Sequence, residues 1–232
     1  MQKGHPANAV QISERPLPRI GMGSGMEHMS RSSQQSQESR RVINISGVER
    51  IFEVRFVDFP DGMTEYVIGD EMDQARRCLR VDDYSGSEDG LPTDSWVLTL
   101  VAPGYGSQTL TRILDIPAGR ALAVVSRGTL FMGSVDDPAG FAAVATDWPI
   151  RSARSYPQAG ITILTTDCSA TCVDANGVRW RSRRLAYDGV VLGDLEDGIL
   201  RIEAEDYDPR TILLSIDDGH IVHHYKIGRA HV

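Results

Sequence analysis

Lysine is nearly missing from this chain: Lys3 and Lys226 are its only examples, and the basic residues between 42 and 225 are sixteen arginines. Against them stand twenty-nine acids, so this body carries a formal charge of −13. A surface of that sign repels phosphate backbones and excludes nucleic acid as the expected partner. A GC-rich genome explains the arginine bias more simply than selection for bidentate contacts. Cysteine is scarce too. Cys78, Cys168 and Cys172 are an odd number and too few to staple a fold, as in a reducing compartment. No run approaches the roughly 20 apolar residues that cross a bilayer, and no basic stretch followed by an apolar one opens the chain. A soluble, cytoplasmic protein with no membrane partner is therefore expected.

Aromatic residues make up 6% of the chain and are wholly absent from residues 1–41. That stretch is rich in Ser, Gln and Gly, and it cannot bury enough apolar surface to offset its ordering entropy, so a disordered tail is expected there. The spaced glycines Gly21, Gly23 and Gly25 lack the preceding strand and following helix that a phosphate-cradling loop needs. No Gly-x-Ser-x-Gly elbow or other nucleophile setting is present. At the other end, residues 226–232 resemble a translated sequencing-adapter oligonucleotide and are expected to be a non-native extension, leaving 42–225 as one domain.

What the chain does have is turn punctuation. Arg127-Gly128, Asn176-Gly177, Asp188-Gly189, Asp197-Gly198 and Asp218-Gly219 separate short β-branched runs, each placing Gly where a tight hairpin needs positive φ. The runs are Ala121 to Ser126, Thr129 to Val135, Ile161 to Thr166, Val178 to Ala186, Val190 to Leu195, Ile199 to Ala204 and Thr211 to Asp217. Further strands are expected at Trp96 to Ala102, Thr109 to Ile116, Phe141 to Thr146 and Ala170 to Asp174. A first hairpin is expected from Ile51 to Phe59 through Pro60-Asp61-Gly62 into Thr64 to Ile68. Between 70 and 81 the pattern changes: Asp70 can cap, acids lead, arginines trail, and Met72, Ala75, Cys78 and Leu79 share a helical face, so one short helix is expected near 70–80.

The layout around 116–138 is similar to that around 160–182, an offset of about 40 residues that suits blade repeats. The reading is all-β, an antiparallel meander of propeller-like blades, with a β-sandwich as the alternative. Two segments, Ala75 to Tyr84 and Gly177 to Gly189, resemble recurring pieces of uncharacterised bacterial proteins that are propeller-like or β-rich. The resemblance spans about 70–222, implies an all-β fold, and carries over no activity or functional residue.

Candidate chemistry is sparse. Cys168 and Cys172 on one strand would stand roughly 13 Å apart, too far for a disulfide or one metal. His220, His223 and His224 near Asp217 and Asp218 offer ligand types, but strand alternation splits them, so solvated edge histidines are expected. The pairs Asp82-Asp83, Asp136-Asp137 and Asp217-Asp218 suit turns better than paired catalytic carboxylates. Arg179, Arg181 and Arg183 alternate opposite Trp180, which makes them a cationic stripe that is either balanced by acids between 195 and 208 or free to bind an acidic protein partner. No cofactor and no metal are expected. The expected function is a non-enzymatic binding module; the alternative is an enzyme with a dispersed loop site of Asp and His residues.

Overall fold

The computed structural model describes residues 39–45, 48–70, 75–106, 108–114, 121–147 and 149–226. These form four β-sheets. The first holds β1 (Ser39–Ile45), β2 (Val48–Val57), β3 (Thr64–Ile68), β4 (Ala75–Asp83) and β5 (Asp94–Ala102) in the order β1-β2-β4-β5-β3. The second is a plain meander of β6 (Arg112–Leu114), β7 (Ala121–Ser126), β8 (Thr129–Ser134) and β9 (Asp137–Val144). The third follows as β10 (Ser152–Tyr156), β11 (Ile161–Thr165), β12 (Ala170–Asp174) and β13 (Gly177–Arg181), and the fourth as β14 (Val190–Glu196), β15 (Ile199–Ala204), β16 (Arg210–Ser215) and β17 (Ile221–Lys226). The last three sheets start at Arg112, Ser152 and Val190, close to the repeat expected from the sequence. The fold is all-β, with antiparallel, propeller-like blades.

Strand alternation explains how the sheets stack. On β7, Leu122 and Val124 enter a core shared with the first sheet, while Ala123 and Val125 enter a core shared with the third. Phe131 and Leu130 on β8 divide in the same way. On β11, Ile161 and Ile163 face the fourth sheet and Leu164 faces the second. Strands β7, β11 and β12, inside the two middle sheets, are thus buried on both faces, which is why they read as nearly unbroken apolar runs. Each fully buried Leu, Ile or Phe contributes about 1.5–3 kcal/mol. The fourth sheet differs: Leu200, Ile202, Ile212 and Leu214 point inward, while Arg201 and Glu203 pair on its outer face.

Two hairpin turns have positive φ at both central residues, Arg127-Gly128 and Asp197-Gly198, as the right-handed strand twist demands. Gly177 and Gly219 also have positive φ, but Gly189 does not. Its segment is no hairpin. Residues 182–189 connect the third sheet to the fourth, so the strand expected over 178–186 stops at Arg181.

Two further expectations are corrected. The helix expected near 70–80 is not formed within the described residues, because Ala75–Asp83 is strand β4. Leu79 and Val81 reach the first core at period two, and Arg80 donates to Asp82 on the opposite face. Asp82 is buried there, accepting also from Ser95 Oγ at 2.6 Å, with Arg55 3.3 Å away. Pairing with β2 and β5 overrides helix propensity. Nor do β2 and β3 form a hairpin. The turn exists, with Met63 N–H donating to Pro60 O, but β4 takes the edge of β2 and β3 runs parallel to β5. At the ends, the tail boundary expected at 41 falls inside β1, residues 1–38 lie outside the described residues, and so do 227–232.

Trp180 ties the third sheet to the fourth. Its indole N–H donates to Ile216 O at 2.6 Å, and its ring lies where a Cβ on Gly219 would stand, 2.4 Å away. Gly62 has the same backbone (φ 74° against 72°) and open space around it. Gly62→Ala should therefore cost only backbone strain, about 1 kcal/mol. Gly219→Ala adds a clash with a rigid buried ring and should cost about 3 kcal/mol or more by urea unfolding followed through tryptophan fluorescence. Equal losses at the two positions would show that the Gly219–Trp180 contact contributes nothing.

Candidate functional site

Two loops at the junction of the third and fourth sheets carry the most distinctive surface. Residues 182–189 are pinned from below: Ala170 N–H donates to Ser182 Oγ at 2.9 Å, and Leu185 N–H to Cys168 O at 2.7 Å. Leu185 and Ala186 are buried, which turns Arg183, Arg184 and Tyr187 outward. Residues 205–209 lie alongside. Glu205 N–H donates to Gly189 O, and Asp206 accepts from Tyr187 N–H at 2.6 Å and from Arg210 at 3.0 Å. The resulting ridge exposes Tyr187 (67%) and Tyr207 (90%), with the Arg184 guanidinium 5.3 Å from the Tyr187 ring centre. Exposed tyrosine beside arginine is the composition of binding hot spots.

Beside the ridge lies a recess of about 250 Å³. Its rim is basic: Arg183, Arg184 and Arg210, with His224 from β17. Leu185, Ile212 and Ile221 give it an apolar floor. Arg210 is held by Leu185 O and Asp206, yet its buried Nε–H finds no partner among the described residues. An unmet buried donor costs about 1–3 kcal/mol.

The three arginines singled out from the sequence part company. Trp180 is buried and Arg179, Arg181 and Arg183 are exposed, so the alternation is present. Arg179 leans toward Asp174 of its own hairpin, 3.8 Å away, and Arg181 donates to Ala145 O at 2.8 Å. The Arg183 carbonyl accepts from Ser182 Oγ, but its guanidinium has no hydrogen-bond or ion-pair partner among the described residues, and it alone of the three borders the recess. Arg184, Arg210, Tyr187 and Tyr207 were not legible as a group. The one available signal was Tyr207 itself, an aromatic set among acids before Pro209, which has no apolar neighbours to join it in a core.

The histidines do not converge. His220 Nδ1 lies 2.5 Å from Asp218 Oδ1, and this hydrogen bond holds the Asp218 carboxyl below its usual range. His223 stands beside the Tyr225 ring, and His224 borders the recess. The aspartate pairs serve structure: Asp83 accepts from Ser85 N–H, Asp137 from Gly140 N–H, and Asp82 joins the arginine network of the first sheet.

A second, more open cleft of about 560 Å³ lies between β10 and β14 and reaches Asp188 and Glu205 of the ridge loops. Arg151 spans its wall, bidentate to Asp167 at 3.0 and 2.9 Å and donating to Gln108 O at 3.0 Å. Arg154 reaches Gly193 O and Asp194, and Tyr156 O–H also donates to Gly193 O. Asp167, Asp188 and Glu205 come to this cleft from three loops. Among the described residues, no three His, Cys, Asp or Glu side chains stand close enough to hold a metal.

No known protein-family profile matches this chain, and no curated protein does. Among solved structures it is similar to the WD40 domain of Toxoplasma gondii coronin, at 15% identity and a TM-score of 0.39, over 83% of this chain and 57% of that one. It is also similar to HIRA residues 644–1017, at 12% identity and a TM-score of 0.34, over 82% of this chain and 54% of that one. The chain spans little more than half the length of either. No helix among the described residues is long and apolar enough to cross a membrane.

The cysteines separate by environment. Cys168 sits in the loop beneath the ridge, partly exposed, whereas Cys172 is buried on β12, and burial pushes its thiol up to about 12. Thiolate is the reactive form, so at pH 8 Cys172 holds only on the order of 0.01% of it. Iodoacetamide on the native protein at pH 8 should alkylate Cys168 and leave Cys172 unmodified, as read by peptide mass spectrometry. Equal labelling would mean that β12 opens on the labelling timescale.

Proposed function

We propose that this chain is a protein-interaction module whose docking surface is the tyrosine ridge and the basic recess beside it, and whose partner presents an acidic segment. The observation that carries this reading is Arg183: on a body of charge −13, its guanidinium is exposed, unpaired among the described residues, and set on the rim of a recess with two further arginines. A cation left without an internal partner is available to an external one, and opposite potentials accelerate encounter as well as favouring the complex. The exposed tyrosines add apolar area at low entropic cost. Binding without chemistry is consistent with the histidines, which do not gather.

The cleft supports a second reading, a loop-built catalytic site, through Asp167, Asp188 and Glu205. Asp167 is committed to Arg151, which leaves that site short of a free third carboxylate.

A free-ended acidic peptide of twelve residues, labelled at its N-terminus, should bind the full chain in a salt-sensitive manner by fluorescence anisotropy. Arg183→Glu should weaken that binding at least roughly tenfold, the equivalent of about 1.4 kcal/mol, without lowering the melting temperature. Asp188→Asn should leave it unchanged. Equal affinity for the wild type and Arg183→Glu would remove the recess from the interaction.

A further inference from the structure

We infer that the recess recognises the C-terminal residue of its partner, taking the terminal carboxylate and an apolar side chain together. The inference rests on the reading that the recess takes an acidic protein segment, and it names which part of that segment enters. The recess pairs two chemistries within about 250 Å³: the cations Arg183 and Arg184 on its rim, with the His224 ring beside them, and an apolar floor of Leu185, Ile212 and Ile221. That space suits roughly one residue. An internal Asp or Glu would bring a carboxylate but nothing apolar of its own, and the floor would stay empty. An internal Leu or Val would fill the floor and leave the arginines unmatched. Only the last residue of a chain carries a carboxylate and an apolar side chain on the same Cα. Capture of a terminal carboxylate is an established mode of peptide recognition.

Two neighbouring features suit the rest of such a segment. Among the described residues β17, which supplies Ile221 and His224, is the edge of the fourth sheet, so an extended chain lying along it meets backbone N–H and C=O groups not used by β16. Upstream residues would then pass toward the ridge, where Tyr187 and Tyr207 are exposed. A phosphate group would satisfy the arginines alone, and its tetrahedral charge would sit poorly against three aliphatic side chains.

The experiment compares four N-terminally labelled acidic hexapeptides on the full chain by fluorescence anisotropy. The first ends in leucine with a free carboxylate. The second is its C-terminal amide, the third replaces the leucine by glycine, and the fourth is an amidated peptide with an internal phosphoserine. The expected result is that the first binds at least roughly tenfold more tightly than each of the others. Arg183→Gln should abolish that preference while leaving the melting temperature unchanged, since Arg183 holds nothing else in place. If the free and amidated peptides bind alike and both weaken in Arg183→Glu, the acidic-partner reading stands and the terminal-residue inference falls. Tighter binding of the phosphoserine peptide would also overturn it. If none of the four binds, both fall.

Discussion

Side chains on a strand point alternately to opposite faces, and here each face of the middle sheets meets a different neighbour. Leu122 and Val124 belong to one core while Ala123 and Val125 belong to the next, so a single six-residue strand helps to hold three sheets in line. Slipping β7 by one residue would exchange the two sets, carrying Ala123 onto the face where Leu122 and Val124 fill the core. The register of the whole stack depends on this division. It also determines where function can sit: with faces consumed by packing, the loops at the sheet junctions and the outermost edges remain for recognition.

The junction of the third and fourth sheets shows how such a surface is made rigid. Residues 182–189 have no regular secondary structure, yet their backbone is fastened to Ala170, Cys168 and Glu205 and their apolar members are buried. Trp180 locks the same junction from β13 through Ile216 O. Arginines displayed on a fixed loop lose less freedom on binding than arginines on a mobile one, which matters for a side chain carrying about 2 kcal/mol of rotamer entropy. The recess and the cleft differ in charge: three arginines line the recess, whereas Arg151 and Arg154 of the cleft stand with Asp167, Asp188 and Glu205.

The first sheet is built on different terms. Its face toward the second sheet is apolar through Phe52, Leu79, Trp96 and Leu98, whereas its other face carries Arg55, Arg80 and a buried Asp82 bound to Ser95. Removing one arginine from that group would leave a buried carboxylate undercompensated, a costlier change than loss of a surface ion pair. This is also the sheet whose topology departs from a meander, with β3 parallel to β5.

How far the fold could be read from the residues follows from the range of the forces involved. Turn dipeptides and β-branched runs act locally, so strands Thr64–Ile68, Ala121–Ser126, Ala170–Asp174 and Ile199–Ala204 stand where composition places them. Ser152–Tyr156 was invisible because only Tyr156 along it is buried, and Ala75–Asp83 read as helix because its caps and charges are local signals while its pairing with β2 and β5 is not. The site divides the same way. Alternation about Trp180 turns Arg179 and Arg181 outward as a property of one strand, whereas Arg183 faces outward from the loop after it, where Leu185 and Ala186 are buried. Which of the three is free was decided by Asp174, by Ala145 and by the recess, which β16 and β17 close from residues 27 or more positions away in sequence. Charge and turn chemistry were determined by sequence alone; the partnering of each charge required the sheets to meet.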